Sequence, residues 1–326
     1  MTLILKQEEL KNCVSISVEG IKVIEDAFKN LSEGKAIMPP IMRLDIEENN
    51  GEVDVKTAYI KGLDSFAIKM SPGFFDNPKI GLPSTGGLMV LLSSKTGTLE
   101  AVLLDKGYLT DIRTAIAGAI SLKYLAKEEI STIGIIGAGA QAKLQLEASM
   151  LVRKPSELRI WSRDSMKVKS FIEDVNKKFD IKTVIAKNTQ EVTENSEVII
   201  TTTPSTIPLI KSEWLHPGLH ITAMGSDAEH KNELDPEIIK KADMYVCDAQ
   251  SQTVVLGELH HAIKAGLIEK NTKFTEIGEI IKGSKEGRKK DQEITICDLT
   301  GTGIQDTAIA RLAYKKALEK KLGFKL

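Results

Sequence analysis

The chain has 326 residues, of which 42% are hydrophobic and 27% charged, with 44 Lys+Arg against 45 Asp+Glu. This length predicts two domains with sizeable cores, and the balanced charge gives no electrostatic reason to expect nucleic acid or an anionic membrane as a partner. Cys13, Cys247 and Cys297 fit no zinc or disulfide spacing and suit a reducing, cytoplasmic setting.

The first thirteen residues carry only a very short apolar stretch and do not read as a signal peptide, and no apolar run reaches the length of a membrane span. Ser17 is the predicted N-cap of a helix with apolar positions Val18, Ile21, Val23, Ile24, Ala27, Phe28 and Leu31, stopped by Gly34. Residues 41–48 and 52–59 flank Asn49-Asn50-Gly51, a hairpin signal. Residues 65–70 form another strand, and 88–94 and 98–105 flank the turn Lys95-Thr96-Gly97. This part is an antiparallel α+β unit. Thr110 or Asp111 then caps a helix to about Ala126.

From there the pattern alternates. Strands are expected at 131–136, 158–161, 183–186, 198–201, 219–223, 244–247 and 294–298, with helices at about 140–152, 164–178 and 235–241. Most of these strands are short continuous apolar runs, as a parallel sheet covered on both faces requires. The fold class is therefore α/β: a doubly wound parallel sheet of Rossmann type beside the α+β unit. Residues 257–266 read as a packing helix, 282–293 as a charged surface loop, and 305–326 as one amphipathic helix that periodicity assigns to neither domain.

The strongest motif is Gly137-x-Gly139-x-x-Ala142, between an apolar strand and a helix that begins Ala140-Gln141. It matches the dinucleotide fingerprint. Gly137 permits the tight turn, Gly139 lets backbone approach the pyrophosphate, and the helix N-terminus offers free N–H groups. The next strand ends at Trp161-Ser162-Arg163-Asp164, where NAD-specific domains usually place a carboxylate. A hydroxyl and a guanidinium suit a 2′-phosphate better, so NADP(H) is favoured over NAD(H), with Asp164 still able to serve NAD.

Arg43, Lys69 and Arg113 are cations in mostly apolar stretches. Burying them is costly without an anion, and a substrate carboxylate is one such anion. The five histidines show no metal-ligand spacing, so no metal is expected; His230, between Asp227 and Lys231, reads as a surface residue.

These residues, together with Gly81-Leu82-Pro83-Ser84-Thr85, Leu109-Thr110-Asp111-Ile112-Arg113-Thr114-Ala115, Thr202-Thr203-Pro204, Gly225-Ser226-Asp227, Glu233-Leu234 and Gly301-Thr302-Gly303-Ile304-Gln305-Asp306, run along nearly the whole chain. In them the sequence resembles the ornithine cyclodeaminase/mu-crystallin family, and Met70 to Pro78 looks most like the ectoine-utilisation and iminosuccinate reductase branch. The resemblance implies a substrate and dimerisation domain from both termini, 1–115 and 305–326, with a Rossmann domain, 116–304, inserted between them. It implies a homodimer.

By position it also implies roles. Arg43 and Arg113 hold a substrate carboxylate, Lys69 sits near the α-nitrogen or carboxylate and acts in proton transfer, and Asp227 faces the substrate amine with Lys231 nearby. Ser84 or Thr85 contributes a contacting hydroxyl. Thr202, Thr203, Met224, Gly225, Thr302, Gly303 and Ile304 belong to the cofactor site. The chemistry suits these types: hydride leaving the α-carbon makes the α-nitrogen an iminium, which a carboxylate stabilises. A lysine desolvated beside cations has a lowered pKa and can act as base.

Three functions follow as expectations: an NAD(P)-dependent imino acid reductase or amino acid dehydrogenase acting on a small amino or imino acid, a redox-neutral cyclodeaminase that retains its cofactor, and a non-catalytic mu-crystallin-like binding protein. The residues Ala228-Glu229-His230 after Asp227 and Ser162 after the second strand depart from the ornithine cyclodeaminase pattern and favour the first.

Overall fold

The computed structural model describes residues 2–326. In chain order the elements are β1 (Leu3–Lys6), α1 (Gln7–Cys13), α2 (Val18–Ser32), β2 (Ala36–Ile37), β3 (Met42–Ile46), β4 (Gly51–Ile60), β5 (Ser65–Phe74), β6 (Leu88–Ser93), β7 (Leu99–Leu104) and α3 (Tyr108–Leu125). Then come β8 (Thr132–Ile136), α4 (Ala140–Ser149), β9 (Glu157–Trp161), α5 (Ser165–Lys178), β10 (Lys182–Ile185), α6 (Thr189–Glu194), β11 (Val198–Thr201), β12 (His220–Ala223), α7 (Glu237–Lys241) and β13 (Met244–Cys247). The chain ends with α8 (Gln250–Thr253), α9 (Glu258–Lys264), β14 (Thr275–Glu276), α10 (Ile277–Ile281), β15 (Thr295–Asp298), α11 (Gly303–Glu319) and β16 (Phe324–Lys325). It divides into two compact units: the residues up to Arg113 with Thr302–Leu326, and Thr114–Gly301.

In the first unit the sheet runs β16-β1-β7-β6-β5-β4-β2, with β3 also paired to β4. The period of two decides which side chains enter its core. On β5 it buries Ser65, Ala67 and Lys69, and on β4 Lys56, Ala58 and Ile60. The antiparallel register sets Ala58 opposite Ala67 and Lys56 opposite Lys69. Two lysines thus stand in a row of core positions. The start of α11 lies on these strands: a Cβ at Gly303 would run into the Thr57 carbonyl, Thr307 Oγ1 donates to the Ala58 carbonyl at 2.7 Å, and Ala67 N donates to the same hydroxyl at 3.1 Å. Helix α2 begins at Ser17, whose Oγ accepts from Gly20 N at 3.1 Å.

In the second unit every strand pair is parallel, in the order β10-β9-β8-β11-β12-β15-β13-β14. The chain starts at β8, goes outward one way through β9 and β10, then returns to β11 on the other side. The switch point of this doubly wound sheet lies between the carboxyl ends of β8 and β11, where such folds bind ligands.

Several expectations change. The α3 helix begins before Thr110: Asp105 Oδ2 accepts from Leu109 N at 2.8 Å, and the chain turns into it through Lys106 and Gly107, both with positive φ. The last helix stops at Glu319 rather than running to 326. Gly323 then turns the chain, and β16 pairs antiparallel with β1, which pairs parallel with β7. The loop 282–293 is pinned: Arg288 donates to the carbonyls of Leu125 and Leu219 and to Thr295 Oγ1.

Candidate functional site

The first unit holds a buried charge cluster. Asp306, in the first turn of α11, is fully buried and faces two cations. Lys69 Nζ lies 3.1 Å from its Oδ2, and Arg113 Nε donates to its Oδ1 at 2.9 Å. Arg113 Nη1 also donates to Gln305 Oε1 at 3.2 Å. Lys69 and Arg113 are 2% and 5% exposed.

Burial pushes the Lys69 ammonium down; Asp306 opposes the fall, while Arg113 and Lys56 add to it, leaving a pKa of about 7. For Asp306 burial pushes upward, but Arg113, Lys69 and Lys56 together hold it below the ordinary carboxylate range. Asp105 is raised by burial, against the N–H groups of Leu109 and Gly107. The cluster therefore keeps one lysine close to neutrality beside a permanent guanidinium.

Arg43 is placed differently from the expectation of a buried cation. Its side chain is 29% exposed on β3 and is paired with Asp45 at 2.8 Å, with Glu52, and with Asp54 at 3.8 Å. The physical reason is that β3 is held by β4 alone, so it lies outside the covered part of the sheet. Ser84 and Thr85 lie beside the end of β5: Phe74 N donates to the Ser84 carbonyl at 2.7 Å, and Thr85 bridges to Gly73. Thr302, Gly303 and Ile304 are buried at the start of α11.

In the second unit the fingerprint turn sits at the switch point. Gly137 has φ +116, and a Cβ there would lie 2.5 Å from Thr202 Oγ1. Apart from its two chain neighbours, no heavy atom of the described residues stands within 4 Å of a Cβ built on Gly139. Gly139 is the N-cap of α4 and supplies no side-chain acceptor to its first turn. A tight turn, an open backbone face and a helix start without a side-chain cap fit a dinucleotide pyrophosphate. Ser162 is half-buried and Arg163 exposed at the end of β9. The Asp164 carboxylate caps α5, accepting from Met166 N at 3.0 Å and Lys167 N at 3.2 Å.

Past β12, Met224 is buried and Asp227 exposed, the latter paired with Lys231 at 2.6 Å. His230 is exposed. Two carboxylates hold this loop. Glu233 accepts from Thr201 Oγ1 at 2.6 Å, Thr203 N at 2.6 Å, Thr203 Oγ1 at 2.7 Å and Gly225 N at 2.8 Å. A Cβ on Gly225 would collide with the Thr203 carbonyl and with that carboxylate. Glu258, at the start of α9, accepts from Asn232 Nδ2, Glu233 N and Leu234 N at 2.7–3.1 Å. Burial, then the charges of Asp298 and Glu233, push its carboxyl well up. The helix read as packing alone thus anchors the segment that bears Asp227.

The sequence reading missed Lys56, Asp306, Gln305, Glu233 and Glu258 as site residues. Among the described residues no three His, Cys, Asp or Glu side chains gather as a metal site, and no helix is long and apolar enough to cross a membrane.

A family model described as the ornithine cyclodeaminase/mu-crystallin family matches residues 1–321. The chain belongs to that family. An uncharacterized cyclodeaminase, y4tK, of Sinorhizobium fredii (strain NBRC 101917 / NGR234) is 53% identical over 98% of this chain and 97% of its own length. An archaeal alanine dehydrogenase dimer with bound NAD superposes with a TM-score of 0.92 at 38% identity, covering 100% of this chain and 98% of that one. A Thermococcus litoralis Δ1-pyrroline-2-carboxylate reductase in complex with NADH and L-proline gives 0.93 at 32%, covering 99% and 100%. The Rossmann fold of these family members and the fingerprint turn agree on a nicotinamide dinucleotide.

Proposed function

We propose that the protein is an NAD(P)-dependent imino acid reductase or amino acid dehydrogenase acting on a small amino or imino acid. The observation that carries this reading is the buried Lys69–Asp306–Arg113 cluster, in which one amine is poised near pH 7 beside a fixed guanidinium. With the dinucleotide held at Gly137, Gly139, Ala140, Gln141, Thr202, Thr203, Met224 and Gly225, its nicotinamide would give hydride to, or take it from, the substrate α-carbon.

The chain's own groups do the rest. Arg113, with Arg43, Ser84 and Thr85, orients the substrate carboxylate and so restricts the reacting geometry. Lys69 exchanges a proton at the substrate nitrogen, a task for which an amine near neutrality is suited. Asp227, steadied by Lys231, stabilises the positive charge of the iminium. The test is a panel of keto acids with ammonium, and of cyclic imino acids, assayed for loss of NADPH or NADH absorbance. No turnover across the panel would sink the proposal.

The 53% identity to a protein called a cyclodeaminase favours a second reading. In that case a diamino acid would release ammonia with no net change in the dinucleotide.

NADP(H) is proposed as the preferred cofactor. Ser162 and Arg163 support it, as does the use of Asp164 as a helix cap. A homodimer built on the first unit is also proposed, supported by the exposed apolar side chains of Met42 and Leu44 on β3 and Ile80 and Leu82 beyond β5. Light scattering tests it. The three free cysteines suit a reducing, cytoplasmic setting.

A further inference from the structure

We propose that Gln305 is a substrate-binding residue whose side-chain amide donates to a carboxylate oxygen of the substrate. The inference rests on the reductase reading for the identity of the substrate, and on the geometry of the first unit for the site.

Gln305 is fully buried in the first turn of α11. Its Oε1 accepts from Thr302 N at 3.1 Å and from Arg113 Nη1 at 3.2 Å. Both partners are donors that cannot accept, so they fix which end of the amide is oxygen. The amide nitrogen must therefore occupy the other end. Among the described residues Gln305 Nε2 has no hydrogen-bond partner, although it is buried. The Thr302 side chain, at the N-cap of the same helix, is likewise buried and meets Gln305 N in a capping box. A buried donor left unmatched is costly and uncommon, and calls for a group that completes it.

The surroundings decide what that group is. α11 has 17 residues, and its N-terminus carries partial positive charge. Arg113 is bonded to the same amide, and Lys69 and Lys56 both act on the neighbouring Asp306. An acceptor entering this field is stabilised by being anionic. A carboxylate meets the demand: it accepts from an amide N–H and from a guanidinium at once. Gln305 thus has two jobs, an oxygen that holds Arg113 and a nitrogen that waits for ligand.

Gln305→Glu separates these jobs. Glutamate keeps an oxygen for Thr302 N and Arg113, so the fold and melting temperature should be retained. It replaces the outward donor with a second acceptor, which repels a carboxylate. The full-length protein and this variant are titrated with L-alanine, L-proline and acetate, by calorimetry and, where turnover occurs, by kinetics. The variant should raise KM or Kd for the acids at least tenfold, with the dinucleotide Kd unchanged. Thr302→Val, the milder variant, should raise it less. Acids that bind the wild type but not the variant, without turnover, would uphold the proposal while refuting the reductase reading. Equal binding by both proteins, an effect confined to the dinucleotide Kd, or no binding of any acid to the wild type would overturn it.

Discussion

Replacing Asp306 by Asn removes the one carboxylate that Lys69 and Arg113 share while keeping its shape. At an effective dielectric of about 20, a unit charge pair at 3.1 Å attracts by roughly 5 kcal/mol, and the Arg113 contact at 2.9 Å by a similar amount. Desolvation of the three ions cancels much of this. Removing one partner, however, leaves the others buried and uncompensated, a loss of about 3–5 kcal/mol. Lys69 has an escape that Arg113 lacks, because it can shed its proton. Losing Asp306 takes away the charge that raises the Lys69 pKa, so the amine becomes neutral at lower pH. The loss should therefore be larger at about pH 6 than at about pH 9. Urea unfolding followed by circular dichroism measures it. Adding Lys69→Met to Asp306→Asn should restore at least about 1 kcal/mol, since one uncompensated cation is gone. A loss below about 1 kcal/mol in the single variant, or additive losses in the double, would refute the account of a shared buried counter-charge.

Other outcomes follow from the same geometry. The folded Lys69 pKa of about 7 lies below its ordinary 10.5, so between these values the unfolded chain binds the extra proton. Stability should then rise with pH across that window, by up to about 1.4 kcal/mol per unit from this group, and the rise should vanish in Lys69→Met. Gly137→Ala forces a positive φ on an L-residue and drives its Cβ onto Thr202 Oγ1; dinucleotide binding by fluorescence should be lost, with a stability cost of about 1–3 kcal/mol. Glu258→Ala strips the acceptor from Asn232, Glu233 N and Leu234 N, and chemical denaturation should register at least about 2 kcal/mol. Arg163→Ala should weaken NADPH at least tenfold while leaving NADH within about twofold, as a lost charge-assisted phosphate contact implies; equal weakening of both would dismiss the 2′-phosphate role.

What could be read in the sequence was what local pattern encodes. The continuous apolar runs of β8 and β11, the Gly137 turn between strand and helix, and the hairpin through Gly97 each carry their signal within about ten residues. Lys69 and Arg113 stood out because they interrupt apolar stretches. Asp306 did not, because an acid in the first turn of a helix also reads as a response to the helix dipole, and its partner Arg113 is 193 residues away. Arg43 has the same local look as Lys69, yet it lies on an outer strand, and strand order is a property of pairing rather than of composition. Glu233 and Glu258 were hidden for a related reason. Their partners are largely backbone N–H groups, which every residue carries and no sequence letter marks. The short strands β1 and β16 hold two to four residues each, too few for a period to declare itself.

The division of the first unit between the two ends of the chain bears on how the protein is made. A ribosome delivers Lys56, Lys69 and Arg113 early, then the whole of Thr114–Gly301, and only afterwards Asp306 and β16. Domains that emerge complete fold as units during synthesis. The inserted unit can do so, whereas the first must wait with its lysines and arginine in water until α11 arrives with their counter-charge. The last 25 residues therefore act as a closing segment in time as well as in space, and a nascent chain stalled before Thr302 should present a folded Thr114–Gly301 unit attached to an unclosed first unit.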